Sequence, residues 1–307
     1  LHDYFPVEQL RLLAGHDVLN MTEMALNLSG YVNGVAVMHA KVTTRMFPGY
    51  TIRAITNGVH LPTWTHPAIA ELYSAMSPSW AVEPEQMVRF DQIDGEQLWN
   101  AHRRAKRELG DLVRSHCGVQ LDADVLTIGF ARRMTAYKRP TLLFSDLARL
   151  RRIAARQPLQ LVIAGKSHPA DGHGKALIRE VHGHLRELGP DIRAVYVPGY
   201  DMRVAAALVA GVDVWLNTPQ PPLEASGTSG MKAAANGVLN LSVLDGWWLE
   251  GCIEGVTGWG LVAAGEDAAA ELYERLENAV LPVWADRAAW IRMMQQTIGK
   301  IPCYFNT

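Results

Sequence analysis

The sequence has few cysteines, almost no net charge and no long apolar run that is free of charged residues. Its three cysteines, Cys117, Cys252 and Cys303, lie far apart and form no Cys-x-x-Cys pair. This excludes a zinc-finger framework and a disulfide scaffold, and it fits a reducing compartment. The 29 Lys and Arg against 31 Asp and Glu give a formal net charge of −2. That balance does not favour nucleic acid or an anionic membrane as a partner.

Targeting and membrane patterns are also missing from the sequence. Residues 1–6 show no basic stretch followed by an apolar run, so no signal peptide is visible. The longest apolar stretches, such as 204–216, include Asp213 and are too short to span a bilayer. We therefore expect a cytoplasmic protein. Because the sequence does not begin with Met, we also expect it to be part of a longer one.

From residue 125 onward, short apolar runs alternate with helical patterns. Strands buried on both faces are predicted at 125–131, 159–164, 193–197, 212–217 and 238–243, and helices at 140–156, 175–188, 267–279 and 283–298. Since 49% of the residues are apolar, the chain can bury a sizeable core. The alternation predicts βαβ units and therefore an α/β fold with a doubly wound parallel sheet.

The residues before 125 predict a helical N-terminal stub. Apolar spacing indicates helices at 21–28, 35–46 and 96–116, with a β-like run at 50–55 and a turn at Asn57-Gly58. The stretch that contains Pro62, Pro67 and Pro78 has the composition of a linker. A chain of 307 residues accommodates one large or two modest domains.

Three polar segments follow predicted strands, where open parallel sheets bind their ligands. The first, 132–139, carries four cations: Arg132, Arg133, Lys138 and Arg139. Fixed cations at the start of a helix are typical of a phosphate or carboxylate clamp. A solvated basic turn explains the same residues, because helix starts normally favour acidic side chains.

The second segment, 165–175, fits neither a P-loop nor a dinucleotide fingerprint, since its glycine spacing matches neither. Its His168, Asp171 and His173 are conceivable metal ligands. Without further Cys, Asp or Glu support, a polar loop that binds no metal is the better interpretation.

The third segment, 222–237, is the richest. Its glycines let the backbone approach a ligand closely, and Thr228 and Ser229 can donate hydrogen bonds to an anion. Glu224 can bind a sugar hydroxyl. Lys232 is flanked by apolar residues, which lower the pKa of an amine and suit reaction with an aldehyde. The alternative is a loop that caps an Ala-rich helix with a solvent-directed Lys232.

The next strand is followed by a pair of aromatic residues. Trp247 and Trp248 can line a sugar site, although paired tryptophans more often serve packing.

Together these segments resemble the α-glucan phosphorylase family, which acts on glycogen, starch and maltodextrin, and they are nearest to its short bacterial members. The central signature is Glu224-Ala-Ser-Gly-Thr-Ser-Gly-Met-Lys232. Supporting segments are Arg132-Arg-Met-Thr-Ala-Tyr-Lys-Arg139, Gly165-Lys-Ser-His-Pro-Ala-Asp171, Tyr200-Asp-Met-Arg-Val204, Tyr31-Val-Asn-Gly-Val-Ala36 and Thr56-Asn-Gly58. The resemblance extends over essentially the whole chain.

The resemblance implies a two-domain glycosyltransferase-B fold with the active site between the domains. It implies a pyridoxal 5′-phosphate cofactor held as a Schiff base by Lys232, and reversible phosphorolysis of a terminal α-1,4-linked glucose to glucose 1-phosphate. Two phosphates that lie close together repel, and a cluster of fixed cations permits their approach. Members of the family are commonly homodimers.

Roles transfer by motif position. The resemblance makes Arg133, Lys138 and Lys232 catalytic, with Arg133 and Lys138 on the substrate phosphate. It places Arg132, Lys138, Thr228 and Ser229 on the cofactor phosphate, Trp64, Arg203 and Val204 beside the cofactor, and Asn57, Glu224, Ser226 and Gly227 on glucose.

Two positions and both ends depart from the family pattern. Arg132 replaces a Lys, and Ser229 replaces a Gly, of the animal enzymes. Residues 1–58 correspond to the closing part of the N-terminal domain, and 59–307 to the C-terminal Rossmann-like, cofactor-binding domain without its last crossover helix. We therefore expect an incomplete active site and little phosphorolytic activity from this chain alone.

Two alternatives stay open. A nucleotide-sugar glycosyltransferase of the same fold often carries a second glutamate eight positions after Glu224, but that position is Lys232. A non-catalytic fragment that binds glucan is the other. A transaminase-type enzyme is disfavoured, because no Asp near Lys232 is an obvious partner for the pyridine nitrogen.

Overall fold

The N-terminal residues form short helices around a two-stranded parallel ribbon. This computed structural model describes residues 4, 6–15, 18–262, 265 and 267–307. The first elements are α1 (Val7–Ala14), α2 (Met21–Leu28), β1 (Asn33–Gly34), α3 (Val37–Met46) and β2 (Arg53–Ala54). β1 and β2 pair in parallel, and α2 has the predicted bounds because Asn20 caps it through Thr22 and Glu23.

The predicted linker is wrong, because the stretch around Pro62 and Pro67 is helical and only the part around Pro78 is a turn. The helical stretch forms α4 (Leu61–Trp64) and α5 (Pro67–Met76), followed by a 3₁₀ helix (Pro84–Gln92) and α6 (Gly95–Cys117). Pro62 and Pro67 occupy the first turns of α4 and α5, where a missing N–H leaves no hydrogen bond unmade. Ile69 and Tyr73 then bury α5 against the core.

The rest of the chain forms a parallel sheet with its flanking helices. The strands are β3 (Leu126–Arg133), β4 (Leu159–Lys166), β5 (Arg193–Val197), β6 (Val214–Asn217), β7 (Leu239–Val243) and β8 (Gly258–Leu261). The helices are α7 (Leu147–Arg156), α8 (Gly172–Leu188), α9 (Met202–Gly211), α10 (Ser229–Ala234), α11 (Trp248–Gly251), α12 (Asp267–Arg275), α13 (Leu281–Ala285) and α14 (Arg287–Lys300).

The six strands lie in the order β5-β4-β3-β6-β7-β8, and all neighbouring pairs are parallel. Alternate residues of β4 pack on opposite faces: Leu161 and Ile163 belong to one core, Val162 and Ala164 to the other. This period of two buries both faces under helices. The predicted doubly wound α/β fold is confirmed.

The order of the strands reverses between β3 and β6, which makes the carboxyl ends of these two strands the expected ligand site. The loop after β3 and the loop after β6 are joined there, since the backbone N–H of Gln220 donates to the carbonyl of Tyr137. Near the end of the chain, Val59 pairs with Asn306 in a parallel bridge. Among the described residues, no helix is long and apolar enough to cross a bilayer.

Candidate functional site

A carboxylate between two buried cations is the centre of the site. Arg132, near the end of β3, and Lys138, in the 3₁₀ turn that follows, are both buried. Arg132 Nη2 donates to Glu224 Oε2 at 2.8 Å, and Lys138 Nζ donates to the same oxygen. The loops after β3 and β6 therefore meet through a charge-assisted contact.

The fourth cation of the segment has a structural task. Arg139 adopts a φ of 45°, and its guanidinium donates to the carbonyls of Thr218 and Pro219 at 2.8 and 2.9 Å. These bonds fasten the two loops together. Arg133, in contrast, is exposed, and the described part of the chain gives it no ion pair.

Several buried polar atoms at the ends of β3 and β6 and in the loops that follow lack a partner among the described residues. They include Arg132 Nη1 and Ser226 Oγ, together with Thr135 Oγ1 and Asn217 Oδ1. A buried donor without an acceptor costs about 1–3 kcal/mol, so such atoms are expected where a ligand completes the hydrogen bonding. The donors present, a guanidinium and a hydroxyl, fit an anion or a sugar hydroxyl.

The pKa of Lys138 is set by effects that act in opposite directions. Burial and the neighbouring Arg132 lower the pKa of Lys138 to about 8, although the hydrogen bond to Glu224 acts in the opposite direction. Its Nζ also lies 4.6 Å from the ring centroid of Tyr137. Burial raises the pKa of the Tyr137 phenol, so this hydroxyl stays protonated beside the cations.

The segment after β7 forms hydrogen bonds with the glycine-containing loop, residues 222–228. The backbone N–H of Glu224 donates to Asp245 Oδ2, and the N–H of Trp247 donates to the Ser226 carbonyl, both at 2.9 Å. A Cβ on Gly246 would lie 2.3 Å from that carbonyl oxygen, so only glycine permits this approach. Trp247 and Trp248 are buried, as the packing interpretation predicts.

The loop then turns into the short helix α10. Gly227 has a φ of 88°, which favours glycine there. Thr228 is the N-cap residue but makes no side-chain cap, and Ser229 Oγ accepts a hydrogen bond from Trp215 Nε1 at 3.1 Å. Because accepting this bond does not use the Ser229 proton, the hydroxyls of Thr228 and Ser229 can both still donate to an anion.

Lys232 lies against an aromatic ring. Its Nζ is 3.6 Å from the ring centroid of Trp64, and burial lowers the pKa of the amine. Asn236 holds Trp64 in place, since its Nδ2 donates to the Trp64 carbonyl at 2.8 Å and its Oδ1 accepts from the N–H of His66. The amine thus sits in partly dry surroundings, as its apolar neighbours in the sequence predict.

The remaining candidate residues make no described contact with this centre. Val204 is buried in α9 and its N–H donates to the capping Asp201, while Arg203 is exposed. Asn57 is half-buried and its N–H donates to the Val35 carbonyl. The described contacts thus bring together Arg132, Lys138 and Glu224, and separately Lys232 and Trp64, but they do not join Arg133, Arg203 or Asn57 to either group.

Two residues that support the site, Asp245 and Asn236, are not among the site residues predicted from the sequence. Asp245 accepts from the backbone N–H of Glu224, and Asn236 donates to the backbone carbonyl of Trp64. In the sequence, only their positions after β7 and after α10 signal them. The weak metal candidates have local roles: Asp171 caps α8, and His168 accepts from the N–H of Ala170. No group of metal ligands occurs within the described ranges.

Comparisons with known proteins agree with this picture. A model of the carbohydrate phosphorylase family matches residues 2–256. Maltodextrin phosphorylase of Thermococcus litoralis is 38% identical over 347 aligned residues, which cover 98% of this chain and 40% of that protein. Glycogen phosphorylases of Aquifex aeolicus and Mycobacterium tuberculosis are 39% and 36% identical, covering 92% and 95% of this chain and 46% and 39% of those proteins. The chain thus spans less than half the length of these relatives.

Proposed function

Because the chain belongs to the carbohydrate phosphorylase family, we propose that it carries the phosphate- and cofactor-binding part of an α-1,4-glucan phosphorylase. In this proposal residues 1–58 close an N-terminal domain and residues 59–307 form the Rossmann-like domain. The substrates are a glucan or maltodextrin and inorganic phosphate, and the product is glucose 1-phosphate. Assembly as a homodimer remains a prediction.

The observation that carries the proposal is the pair of buried cations around one carboxylate. Arg132 and Lys138 hold two positive charges in surroundings that disfavour them, and Arg132 Nη1 keeps one donor unused. Glu224 supplies one negative charge against these two positive charges, so the group keeps a net positive charge. That charge attracts an anion, because burial reduces its screening. A solvated basic turn would leave both cations exposed.

The residues present also fit pyridoxal 5′-phosphate. Lys232 offers an amine whose pKa is lowered by burial, as a reaction with an aldehyde requires, and Trp64 offers a flat surface beside it. Arg132, Lys138, Thr228 and Ser229 would hold the phosphate of the cofactor, with Arg203 and Val204 beside the cofactor. When bound, the cofactor supplies a phosphate that exchanges a proton with the substrate phosphate.

The chain's own side chains would bind and orient the reactants. Arg133 is exposed and unpaired in the described structure, so it is free to meet an incoming phosphate together with Lys138. Asn57, Glu224, Ser226 and Gly227 would bind the glucose hydroxyls, with Ser226 Oγ lacking any other partner among the described residues. Fixed cations reduce the repulsion between two phosphates and thereby stabilise the transition state.

The amine at position 232 disfavours the nucleotide-sugar alternative. That alternative needs a carboxylate there to bind the ribose, and the structure places an amine over the ring of Trp64 instead.

Binding of inorganic phosphate tests the proposal. We expect calorimetry to show that Arg132→Gln and Lys138→Met each weaken phosphate binding to the cofactor-treated chain at least about tenfold, the loss typical of a buried charge-assisted hydrogen bond. Lys175→Met is the matched control, because Lys175 is exposed on α8. Equal affinities in all four proteins would refute the assignment of the anion site.

A further inference from the structure

The carboxylate of Glu250 joins the N-terminal ribbon to the segment that supports the glycine-containing loop. Glu250 lies on α11. Its Oε1 accepts from the N–H of Val37 at 2.9 Å, and its Oε2 accepts from the hydroxyl of Thr56 at 2.7 Å. Both partners are about two hundred residues away in the sequence, so each bond is a tertiary contact.

The first bond replaces a missing cap on α3. The N-cap residue of this helix is Ala36, which has no side-chain acceptor. Val37 is the first residue of the helix, and its N–H is one of those that no intrahelical carbonyl reaches. A carboxylate is a favourable partner there, since it also faces the positive end of the helix dipole.

The second bond fixes the residue next to Asn57, which the proposed function places on glucose. Thr56 follows β2, and this stretch is paired with the β1 stretch: the N–H groups of Ile55 and Asn57 donate to the carbonyls of Gly34 and Val35 at 3.0 Å. By holding Thr56 and the start of α3, Glu250 holds both sides of the ribbon at once.

The other end of the same short segment supports the second half of the glucose site. Asp245 and Trp247 hold the backbone of Glu224 and Ser226 at 2.9 Å, and the N–H of Glu250 donates to the Trp247 carbonyl at 2.8 Å. One segment, 245–251, therefore contacts the Asn57 stretch at one end and the Glu224–Ser226 loop at the other.

We propose that Glu250 is a positioning residue that sets Asn57 against Glu224 and Ser226 and thereby determines affinity for the terminal glucose of an α-1,4-glucan. This inference rests on the proposed function. Glu250 itself contacts no reacting atom; it acts through Thr56 and Val37.

The variants separate this role from a general loss of stability. Glu250→Ala removes both acceptors, whereas Glu250→Gln preserves both contacts, because its amide oxygen accepts from Val37 and its amide N–H donates to the Thr56 hydroxyl. Thr56→Val removes one contact at nearly constant volume. Glu274→Ala is the control, since Glu274 is an exposed residue of α12.

Two measurements on the full chain test the proposal. In hydrogen exchange, Glu250→Ala is expected to speed exchange of the Val37 amide about fivefold, the factor typical of losing a helix cap. Titration with maltoheptaose is expected to show about fivefold weaker binding in Glu250→Ala and Thr56→Val, with non-additive effects in the double variant. Glu250→Gln and Glu274→Ala are expected to stay within about twofold of the parent chain.

The two measurements fail in distinguishable ways. Unchanged exchange in Glu250→Ala overturns the docking role, whatever the chain binds. Faster exchange with unchanged maltoheptaose affinity overturns the positioning role while leaving the proposed function intact. A parent chain that binds no maltoheptaose, with or without inorganic phosphate, counts against the glucose site and overturns both proposals.

Discussion

Single side chains decide the charge of the site at the carboxyl edge of the sheet. Glu224 compensates two buried cations through one oxygen, and neither of these ion pairs extends into solvent. Because the pKa of Lys138 lies near 8 through burial and the presence of Arg132, a small rise in pH removes one of the two positive charges. Anion binding should therefore depend on pH well below the ordinary lysine range.

We predict that phosphate affinity falls above pH 8, by up to about tenfold per pH unit. The pKa of Lys138 is about 10.5 in the unfolded chain and about 8 in the folded chain. Between these two pKa values the folded chain binds fewer protons than the unfolded chain, so the free energy of unfolding rises with pH in that range. Calorimetric titration with phosphate from about pH 7 to about pH 10 measures the loss of affinity. In Lys138→Arg the charge persists throughout, and the profile flattens. A flat profile in the parent chain would contradict the pKa of Lys138.

The sequence motifs indicated which loops carry the candidate residues, but they did not indicate which side chains would contact each other. The strand ends and the two polar loops predicted Arg132, Lys138 and Glu224 at one sheet edge, where the three side chains are in contact. That Lys232 belongs to the same site remains a prediction. That Glu224 would pair with both cations did not follow from the sequence, because a pairing across 86 and 92 residues depends on the geometry of two loops. Arg139 was predicted to be one of the clamp cations, but it binds the carbonyls of Thr218 and Pro219 in the loop after β6. This pairing also depends on the geometry of the two loops.

The helix α10 packs so closely on its neighbours that a side chain at Gly230 would not fit without a shift. On α10, a Cβ at Gly230 would lie 2.5 Å from Asn240 Oδ1 and 2.8 Å from Trp247 Cζ2. The small residue lets α10 pack directly on β7 and on the Trp247 side chain, which fixes the position of Lys232 two residues later.

Gly230→Ala is expected to lower the free energy of unfolding by about 1–3 kcal/mol, because neither neighbour can move far in a packed core. Gly183→Ala serves as the control: Gly183 lies within α8 and a Cβ there meets no atom within 4 Å, so alanine is expected to stabilise the chain by about 0.5–1 kcal/mol. Urea unfolding measures both. Equal stability of the two variants would show that α10 has room to shift.

Periodicity predicted five of the sheet strands because each is a run of buried apolar residues. It missed β8, whose Gly-Trp-Gly-Leu sequence has little strand propensity and pairs only through its backbone with β7. The helix predicted at 140–156 was wrong in its first part: a 3₁₀ turn over Leu142–Phe144 comes first, and Asp146 then caps α7. Such tertiary caps and edge pairings are set by the assembled core.

A buried charge network joins α6 to the sheet at the amino ends of the strands, opposite the site. Asp213 precedes β6 and is fully buried; it accepts from His102 Nε2 and from the N–H of Thr127, and it pairs with Lys106. Burial acts to raise the pKa of Asp213, but Lys106 and His102 outweigh it and lower the pKa. The carboxylate therefore stabilises the fold above its ordinary pKa, and this stability is lost as the pH falls through the lowered value. This network joins α6 to two strands.

Asp213→Ala is expected to cost about 3–5 kcal/mol of unfolding free energy, because it leaves the Lys106 charge buried without its carboxylate partner. Adding Lys106→Met removes that charge and is expected to recover part of the loss. Denaturant unfolding of both variants checks this, and a double variant that is less stable than Asp213→Ala would contradict it.

We infer that Lys232 holds an aldehyde cofactor beside an anion site. The chain is incubated with pyridoxal 5′-phosphate, reduced with borohydride and mapped by peptide mass spectrometry, alongside Lys232→Ala and the exposed-lysine control Lys175→Met. We predict the cofactor mass on the peptide that contains Lys232, unchanged in Lys175→Met and absent from Lys232→Ala. Modification of a different lysine, or equal labelling of Lys232→Ala, would show that Lys232 is not the residue that holds the cofactor.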